Sequence, residues 1–227
     1  MRSMRFALAA AALIASTAMT AVASPTAPAN GVDYITLAAP QPVQTVGKKI
    51  EVIEFFAFHC GACNVFEPTL HAWVQKNADK VSFRRIPFPF TGPADPEAHL
   101  YLTLEAMGKA EEYTGKVFRA FHVERQRLTK DDVILDWAAK NGLDMVKFKA
   151  AWNSFGVLTK LKRLPTVASN YKIDSTPSVV VNGRYLTSPG VVGEGNKNLA
   201  YNQTAQAVTL VLDHLVATAR KEKGIAK

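Results

Sequence analysis

The sequence predicts an α/β fold in which a buried strand is covered by helices on both faces. The first observation is residues 49–58, KIEVIEFFAF, which are apolar at both alternations of a period-2 strand. The second is the helical spacing of apolar residues from Val65 to Trp73, directly after that strand. The third is residues 93–164, where helix signals follow one another without a strand pattern. We therefore predict a sheet core interrupted by a helical segment.

The first residues of the chain resemble a secretory signal peptide. Arg2 and Arg5 precede an apolar run over residues 6–14, which leads to the small residues Ala21 and Ala23. This pattern predicts a signal peptide over residues 1–23, cleaved before Ser24. The alternative is a retained membrane anchor, for which the run is short and rich in alanine.

Length, composition and charge narrow the class of protein. Removal of the signal peptide leaves 227 − 23 = 204 residues, enough for one interrupted domain or two small ones. Hydrophobic residues make up 48% of the chain, so a core forms without disulfide staples. The net charge of +8 is scattered, with no basic run interleaved with aromatic residues. A nucleic-acid partner is therefore not expected.

The two cysteines of the chain, Cys60 and Cys63, lie where the buried strand gives way to a helix. An exported protein stapled by disulfides would carry more cysteines, so this pair predicts reactivity. Unpaired N–H groups and the positive end of the helix dipole stabilise a thiolate at Cys60, which would attack, while Cys63 resolves the mixed disulfide. Zinc or copper binding is the alternative, but the nearest nitrogen donors, His59 and His71, have no recognised spacing.

Glu54 lies inside the two-sided apolar strand, away from water. Burial raises a carboxyl pKa, and a carboxyl held near neutrality is a suitable proton acceptor for a buried thiol such as Cys63. The alternative role is an ion pair with Arg85 on the neighbouring strand, and the two roles are compatible.

Residues 179–186 carry the signal of a β-hairpin. Asn182 and Gly183 supply the positive φ angles that a two-residue turn needs. Pro177 stands just before the first strand of the hairpin, where its missing N–H matters least. A cis Thr176–Pro177 bond has only the ordinary low frequency on this ground.

Residues 93–165 contain a succession of helix start and stop signals. Asp95 and Pro96 form an N-cap followed by a proline in the first turn. Thr129 and Asp132 have the spacing of a capping box for a helix that Asn141 ends. A last helix over residues 205–221 is expected to cover the sheet. The aromatic residues expected to pack in the core rather than form a site are Trp137, Phe148 and Trp152.

In combination, these features resemble the thioredoxin superfamily and, more narrowly, the DsbA family of periplasmic thiol:disulfide oxidoreductases. Three stretches carry the resemblance: VIEFFAFHCGAC, AAWNSFGV and TPSVVVNGRY. The resemblance implies a thioredoxin-like fold, with a central mixed sheet flanked by helices, over residues 31–92 and 166–227. It also implies an inserted all-helical domain over residues 93–165.

The resemblance implies roles for single residues as well. Cys60 would be the nucleophile, Cys63 the resolving thiol and Glu54 the buried acid beneath them. Thr176 would offer backbone groups to an extended substrate, and Pro177 would be a cis-proline that faces the disulfide.

The residues around the cysteines include one departure from the family. Its members commonly have Pro-His between the cysteines, whereas this chain has Gly61 and Ala62. A histidine there donates toward the thiolate and favours the reduced form, but Ala62 has no polar side chain, and Gly61 lacks the φ restraint of proline. We assign His59 a minor role in tuning or contact, with a solvent-facing ring, and expect His99 on a helix surface.

The predicted function is the donation of the Cys60–Cys63 disulfide to newly exported proteins with free thiols, which promotes their oxidative folding. No metal and no cofactor besides that disulfide are expected. The resemblance implies a monomer in the periplasm, reoxidised by a DsbB-like membrane quinone reductase.

Other functions stay open at this point. A reductase or isomerase would keep the dithiol reduced, and the Gly-Ala dipeptide leaves that version available. A periplasmic metal- or peptide-binding module belongs to a different class, in which the thiols ligate or pack. A glutathione-dependent enzyme on the same fold is disfavoured, because such an enzyme does not need a resolving Cys63.

Overall fold

The computed structural model describes residues 27–45 and 47–225, and the predicted signal peptide over residues 1–23 lies outside them. The strands are β1 (Ile35–Thr36), β2 (Ile50–Phe56), β3 (Val81–Pro87), β4 (Ser178–Val181) and β5 (Tyr185–Thr187). The helices are α1 (Gly61–Lys76), α2 (Pro96–Ala106), α3 (Ala110–His122), α4 (Asp131–Lys140), α5 (Met145–Trp152), α6 (Phe155–Asn170), α7 (Pro189–Gly195) and α8 (Tyr201–Glu222). None of these helices of the described ranges is long and apolar enough to cross a membrane.

The strands form one mixed sheet in the order β1-β5-β4-β2-β3. Strand β2 pairs in parallel with β3 and antiparallel with β4, and all of its residues are buried. The prediction of a central strand covered on both faces is therefore confirmed. In this register Glu54 lies opposite Arg85 of β3 and Val179 of β4.

The hairpin between β4 and β5 turns at the predicted residues. Asn182 and Gly183 have φ angles of 52° and 63°, as a two-residue turn with two left-handed positions requires. A side chain at Gly183 would collide with the carbonyl oxygen of Gln41, so this position needs glycine for space as well as for conformation. Directly before β4, the Thr176–Pro177 peptide bond is cis.

Alternate residues of the sheet face two separate cores. Val52 and Val179 belong to the core that holds Phe66 of α1 and Leu212 of α8. Ile53, Phe55 and Val180 belong to the other core, together with the aromatic residues expected there, Trp137, Phe148 and Trp152. Burying one such large side chain contributes roughly 1.5–3 kcal/mol, so the two layers hold α1 and the helical segment firmly against the sheet.

The N-terminal caps of the helices confirm one expectation and correct another. Asp95 caps α2, since its carboxylate accepts from the backbone N–H of Ala98 at 2.9 Å. The capping box predicted from Thr129 and Asp132 is wrong: Lys130 is the N-cap of α4 and makes no side-chain capping bond. Because Asp131 and Asp132 both fall in the first turn, the helix dipole stabilises this end instead.

The last helix begins four residues earlier than the predicted start at residue 205. The side chain of Gln203 accepts from the backbone N–H of Ala200 at 2.8 Å, which satisfies one of the groups at that helix end. The start of α8 at Tyr201 matters for the site described below.

His99 is not on a helix surface, so that prediction is wrong. It lies in α2 and is buried, with its ring stacked on Trp152 of α5 at a centroid distance of 3.5 Å. Its Nε2 atom is 2.9 Å from the backbone oxygen of Trp152. Helix α2 is enclosed by its neighbours, and burial lowers the pKa of His99.

Helices α2 to α6 lie between β3 and β4 along the chain. The predicted end of a helical domain at residue 165 falls inside α6, which continues through Pro165. The division of the chain into a discontinuous domain and an inserted helical domain stays a prediction.

Candidate active site

The cysteines lie at the N-terminus of α1, close to the end of the central strand. Cys60 is the N-cap residue, and its sulfur accepts from the backbone N–H of Cys63 at 3.2 Å. The Cys60 side chain is half-buried, whereas Cys63 is buried in the core. Of the two sulfurs, Cys60 is therefore the one that a partner molecule reaches.

The surroundings drive the pKa values of the two thiols in opposite directions. A hydrogen bond from the Cys63 side chain is the main cause that lowers the pKa of Cys60 to about 5, against the opposing effect of burial. The Thr176 side chain and the backbone N–H groups of Ala62 and Cys63 lower it further. Burial and the neighbouring Cys60 sulfur raise the pKa of Cys63. The site thus separates a thiolate at Cys60 from a protonated thiol at Cys63.

Glu54 lies beneath the cysteines on β2 and is completely buried. Arg85 Nε donates to Glu54 Oε2 at 2.8 Å, and Arg85 Nη2 donates to both carboxylate oxygens of Glu67 at 2.8 Å and 2.7 Å. Burial raises the pKa of Glu54 to about 7, although Arg85 opposes it. The contact with Arg85 and the raised pKa occur together, so both roles considered for Glu54 fit the structure.

Thr176, which precedes Pro177 across the cis bond, lies against the reactive sulfur. In its thiol form, Cys60 donates to the backbone oxygen of Thr176 at 3.4 Å. Pro177 directly precedes β4, which begins at Ser178. The two residues named from the sequence therefore lie beside the cysteine pair.

The dipeptide between the cysteines is held from the last helix. Tyr201, the first residue of α8, donates its hydroxyl to the backbone oxygen of Ala62 at 3.1 Å. Gly61 begins α1, and its backbone has no other atom near the position where a Cβ would lie. Neither Gly61 nor Ala62 contributes a polar side chain to the cysteines.

His59 immediately precedes Cys60 and is bound to helix α2. Its backbone N–H donates to Glu97 Oε2 at 3.0 Å, and its Nδ1 atom is 2.9 Å from the same oxygen. The hydrogen bond with Glu97 raises the pKa of His59. The ring meets Phe90 edge-on at a centroid distance of 4.8 Å and stays partly exposed.

The described residues hold no group of three or more side chains suited to a metal ion. His71, one of the two nitrogen donors considered from the sequence, interacts with Gln75 and Glu111 on the surface. His59 is committed to Glu97. Thiol–disulfide exchange is the chemistry for which the arrangement is built, since an accessible thiolate lies beside a buried thiol and a buried acid.

Sequence reasoning did not identify four side chains that shape the site. They are Glu67, Glu97, His122 and Tyr201. Glu67 lies one turn after Cys63 on the same helix, so its spacing was an available signal. The others act across 38, 64 and 139 residues of sequence, on the backbone of His59, Phe58 and Ala62 respectively, and no local pattern announces such contacts.

The fold and the site together define a class of protein, the dithiol oxidoreductases with a thioredoxin-like fold. The family model of the DSBA-like thioredoxin domain matches residues 51–201, and the chain belongs to that family.

Curated relatives and solved structures agree with this assignment. The thiol:disulfide interchange protein DsbA of Burkholderia cepacia is 36% identical over 203 residues, which span 89% of this chain and 91% of that protein. The DsbA of Bordetella parapertussis is 37% identical over 94% of this chain and 96% of that protein. The crystal structure of Pseudomonas aeruginosa DsbA matches with a TM-score of 0.74 and 31% identity, over 86% of this chain and 95% of that one. The chain is accordingly a protein disulfide oxidoreductase.

Proposed function

We propose that this enzyme is a periplasmic disulfide donor whose Cys60–Cys63 disulfide oxidises newly exported proteins. A substrate thiolate attacks the Cys60 sulfur, which breaks the Cys60–Cys63 bond and releases Cys63 as a thiolate that takes up a proton. A second substrate thiolate attacks the substrate sulfur of this mixed disulfide and displaces Cys60 as a thiolate. The substrate gains a disulfide and loses two electrons, which the enzyme holds as its dithiol.

The observation that carries this proposal is the environment of the Cys60 sulfur. The hydrogen bond from the Cys63 thiol and the N–H groups at the start of α1 favour the thiolate, and its pKa is lowered to about 5. A stable thiolate stabilises the reduced enzyme relative to its disulfide. It also makes Cys60 a good leaving group in the second step. Both effects favour donation of the disulfide.

Glu54 is assigned the proton step at Cys63 in this mechanism. The Cys63 thiolate formed in the first step is buried and needs a proton, and Glu54 lies beneath it with a pKa of about 7. A carboxyl that changes its protonation near neutral pH is suited to give and take that proton. Arg85 stabilises the carboxylate that remains after the transfer.

Thr176 and Pro177 are assigned the substrate contact. The backbone oxygen of Thr176 lies beside Cys60, where an extended substrate segment adds to the edge of the loop by backbone hydrogen bonds. Recognition through backbone groups accepts many sequences, as an enzyme that oxidises many exported proteins requires.

The compartment and partners follow from the sequence and the family. The signal peptide predicted over residues 1–23 directs export, and an oxidising compartment maintains disulfides. The reduced enzyme then needs an electron acceptor, for which we propose a DsbB-like membrane quinone reductase. We propose that the enzyme acts as a monomer.

A disulfide reductase or isomerase is the second candidate function. Gly61 and Ala62 favour it, because neither side chain adds a hydrogen bond to the Cys60 thiolate. Equilibration of the mature protein with defined ratios of reduced and oxidised glutathione separates the two functions. We expect a reduction potential well above the value of about −270 mV found for thioredoxin. A thioredoxin-like value would reject the donor function in favour of the reductase.

A substrate assay complements the equilibrium measurement. We expect the oxidised enzyme to convert a reduced two-cysteine peptide to its disulfide with one equivalent of enzyme dithiol formed. The Cys63→Ser variant, which has no disulfide of its own, should instead accumulate a mixed disulfide when the single-cysteine peptide is supplied as its mixed disulfide with glutathione. The Cys60 thiolate attacks the peptide sulfur and releases glutathione, and no second enzyme thiol then displaces Cys60.

A further inference from the structure

Glu97 is a buried carboxylate whose hydrogen bonds, within the described residues, go to one residue of the active-site loop. Its Oε2 atom accepts from the backbone N–H of His59 at 3.0 Å. Both of its oxygens lie within 3.0 Å of the Nδ1 atom of the His59 ring. Glu97 is 8% exposed and stands in the first turn of α2, so packing as well as hydrogen bonding fixes it.

We propose that Glu97 is a positioning residue for disulfide exchange, which holds His59 as an imidazolium beside Cys60 and so stabilises the Cys60 thiolate. The inference rests on the proposed function. It assigns to His59 the stabilisation of the Cys60 thiolate, to which the side chains of Gly61 and Ala62 donate no hydrogen bond.

The geometry requires a proton on Nδ1 of His59. A carboxylate accepts hydrogen bonds and donates none, so the short Nδ1 contact with Glu97 is an N–H donation. The remaining question is whether Nε2 is protonated too. The charged groups that face the ring are Glu97 and Asp95 from α2 and its N-cap, together with Cys60, and each of them raises the pKa of His59.

Burial of the ring opposes this effect, but it is the smaller influence, because the ring remains 42% exposed. Phe90 meets the ring edge-on without enclosing it. The ring is thus exposed enough to solvent to carry a charge, and its contacts with Glu97 fix the position of that charge.

Two other basic side chains near the site, Arg85 and His122, are engaged elsewhere. Arg85 is buried and engages Glu54 and Glu67 with its Nε and Nη2 atoms. His122 is directed to the backbone oxygen of Phe58 at 2.7 Å. His59 is therefore the cationic side chain placed next to the reactive sulfur among these three.

A positive charge next to Cys60 acts on the second step of the reaction. Cys60 leaves as a thiolate when the substrate disulfide closes, and a leaving thiol with a lower pKa leaves faster. Because Glu97 fixes the His59 backbone and ring together, the charge is already in place before the thiolate forms. This prior placement avoids an ordering step during the reaction.

The experiment is a double-mutant cycle on the ionisation of Cys60. The acid dissociation constant of Cys60 is measured by thiolate absorbance in reduced wild-type protein and in the Glu97→Gln, His59→Gln and double variants. We expect each single substitution to lower that constant about three- to tenfold, since the charge is partly exposed to solvent. The double variant should lose no more than the larger of the two single effects.

Glu105→Gln is the matched control. Glu105 lies on the same helix and pairs with Lys160 on the surface, away from the cysteines. It should leave the Cys60 dissociation constant unchanged. A loss in this variant equal to that of Glu97→Gln would show a general effect of removing a negative charge from α2 and would overturn the inference.

Two further outcomes would overturn the proposed role of Glu97. An effect of Glu97→Gln that persists in the His59→Gln background shows that Glu97 acts on the fold rather than through His59. If Glu97→Gln fails to fold, the wild-type protein still provides a test: the His59 ring should titrate in NMR spectra above the ordinary value of 6.5, and titration at or below it refutes the imidazolium. A thioredoxin-like potential would reject the donor function while leaving this coupling measurable.

Discussion

The β2–β3 strand pair holds two buried carboxylate–guanidinium contacts, and the two are built differently. Distant from the cysteines, Glu51 accepts from Arg84 Nε at 3.2 Å and from the backbone N–H of Gln44 at 3.0 Å. Near the cysteines, Glu54 accepts from Arg85 Nε at 2.8 Å. Both carboxylates are almost inaccessible to solvent, and each has one oxygen without a hydrogen bond in the described structure.

The arginines make the difference. The Arg84 side chain is 27% exposed, whereas Arg85 is 5% exposed and also binds Glu67. One buried guanidinium therefore serves two carboxylates next to Cys63, and burial raises the pKa of Glu54 to about 7. The comparison shows that the carboxylate proposed to carry a proton is the one whose arginine is buried and shared with a second carboxylate. Glu51 instead has a partly exposed arginine and a backbone donor.

The largest expected effect is on stability when the arginines are replaced. Arg85→Met removes the partner of two buried or half-buried carboxylates, so we expect a loss of about 3–5 kcal/mol in the free energy of unfolding at neutral pH. Arg84→Met leaves Glu51 with the Gln44 N–H and should cost about 1–2 kcal/mol. Urea unfolding of the two variants measures both values. Equal losses would remove the distinction between the two contacts.

A smaller effect concerns the pH dependence of stability. The pKa of Glu54 rises on folding from its ordinary 4.5 to about 7, so between these values the folded state binds more protons than the unfolded state. In the oxidised protein, where Cys60 has no thiol to titrate, stability therefore falls as pH rises across this window, by about 3 kcal/mol. Glu54→Gln should abolish that decline, whereas Glu51→Gln should retain it.

The slope of the unfolding free energy against pH is the quantity to compare. The buried Gln side chain of Glu54→Gln can lower stability by the same amount at every pH, which shifts the curve but leaves its slope unchanged. Urea unfolding of the oxidised protein, in which Cys60 has no thiol to titrate, at several pH values between 4.5 and 8 gives that slope. A Glu54→Gln curve parallel to that of the wild type would mean that Glu54 ionises normally and would reject its proton role.

The same strands show how far the sequence alone reaches. The two-sided apolar pattern of residues 49–58 predicted the central strand because burial on both faces leaves a direct mark on composition. Glu54 stood out for the same reason, as the charge that such a strand cannot hydrate. Its pairing with Arg85 could be predicted from the sequence, because the neighbouring strand contains few cationic residues.

The contacts between the active-site loop and distant helices could not be predicted from the sequence. Glu97 and Tyr201 reach the active-site loop from helices far along the chain, and helix packing rather than local pattern brings them there. The prediction for His99 was wrong because its helix has polar and apolar residues on all sides, so the sequence does not show which side is buried. The covering residue, Trp152, comes from another helix. Periodicity predicts which face is buried, but not which side chain on another helix meets it.

The smallest expected effect sharpens the comparison most. Alkylation of reduced protein by iodoacetamide should follow the Cys60 thiolate, so its rate should rise to half of its plateau near pH 5 and fall away below it. Cys63, buried and with a raised pKa, should not react. Cys60 ionises at about 5 while Glu54 remains protonated up to about 7.

Because Glu54 carries no charge while Cys60 titrates, Glu54→Gln should shift the midpoint of this curve by less than about 0.3 pH units, no more than Glu51→Gln does. A shift near one unit in Glu54→Gln alone would mean that Glu54 is already ionised at pH 5. Arg85 would then hold Glu54 as a carboxylate, and the proton at Cys63 would have to come from another group.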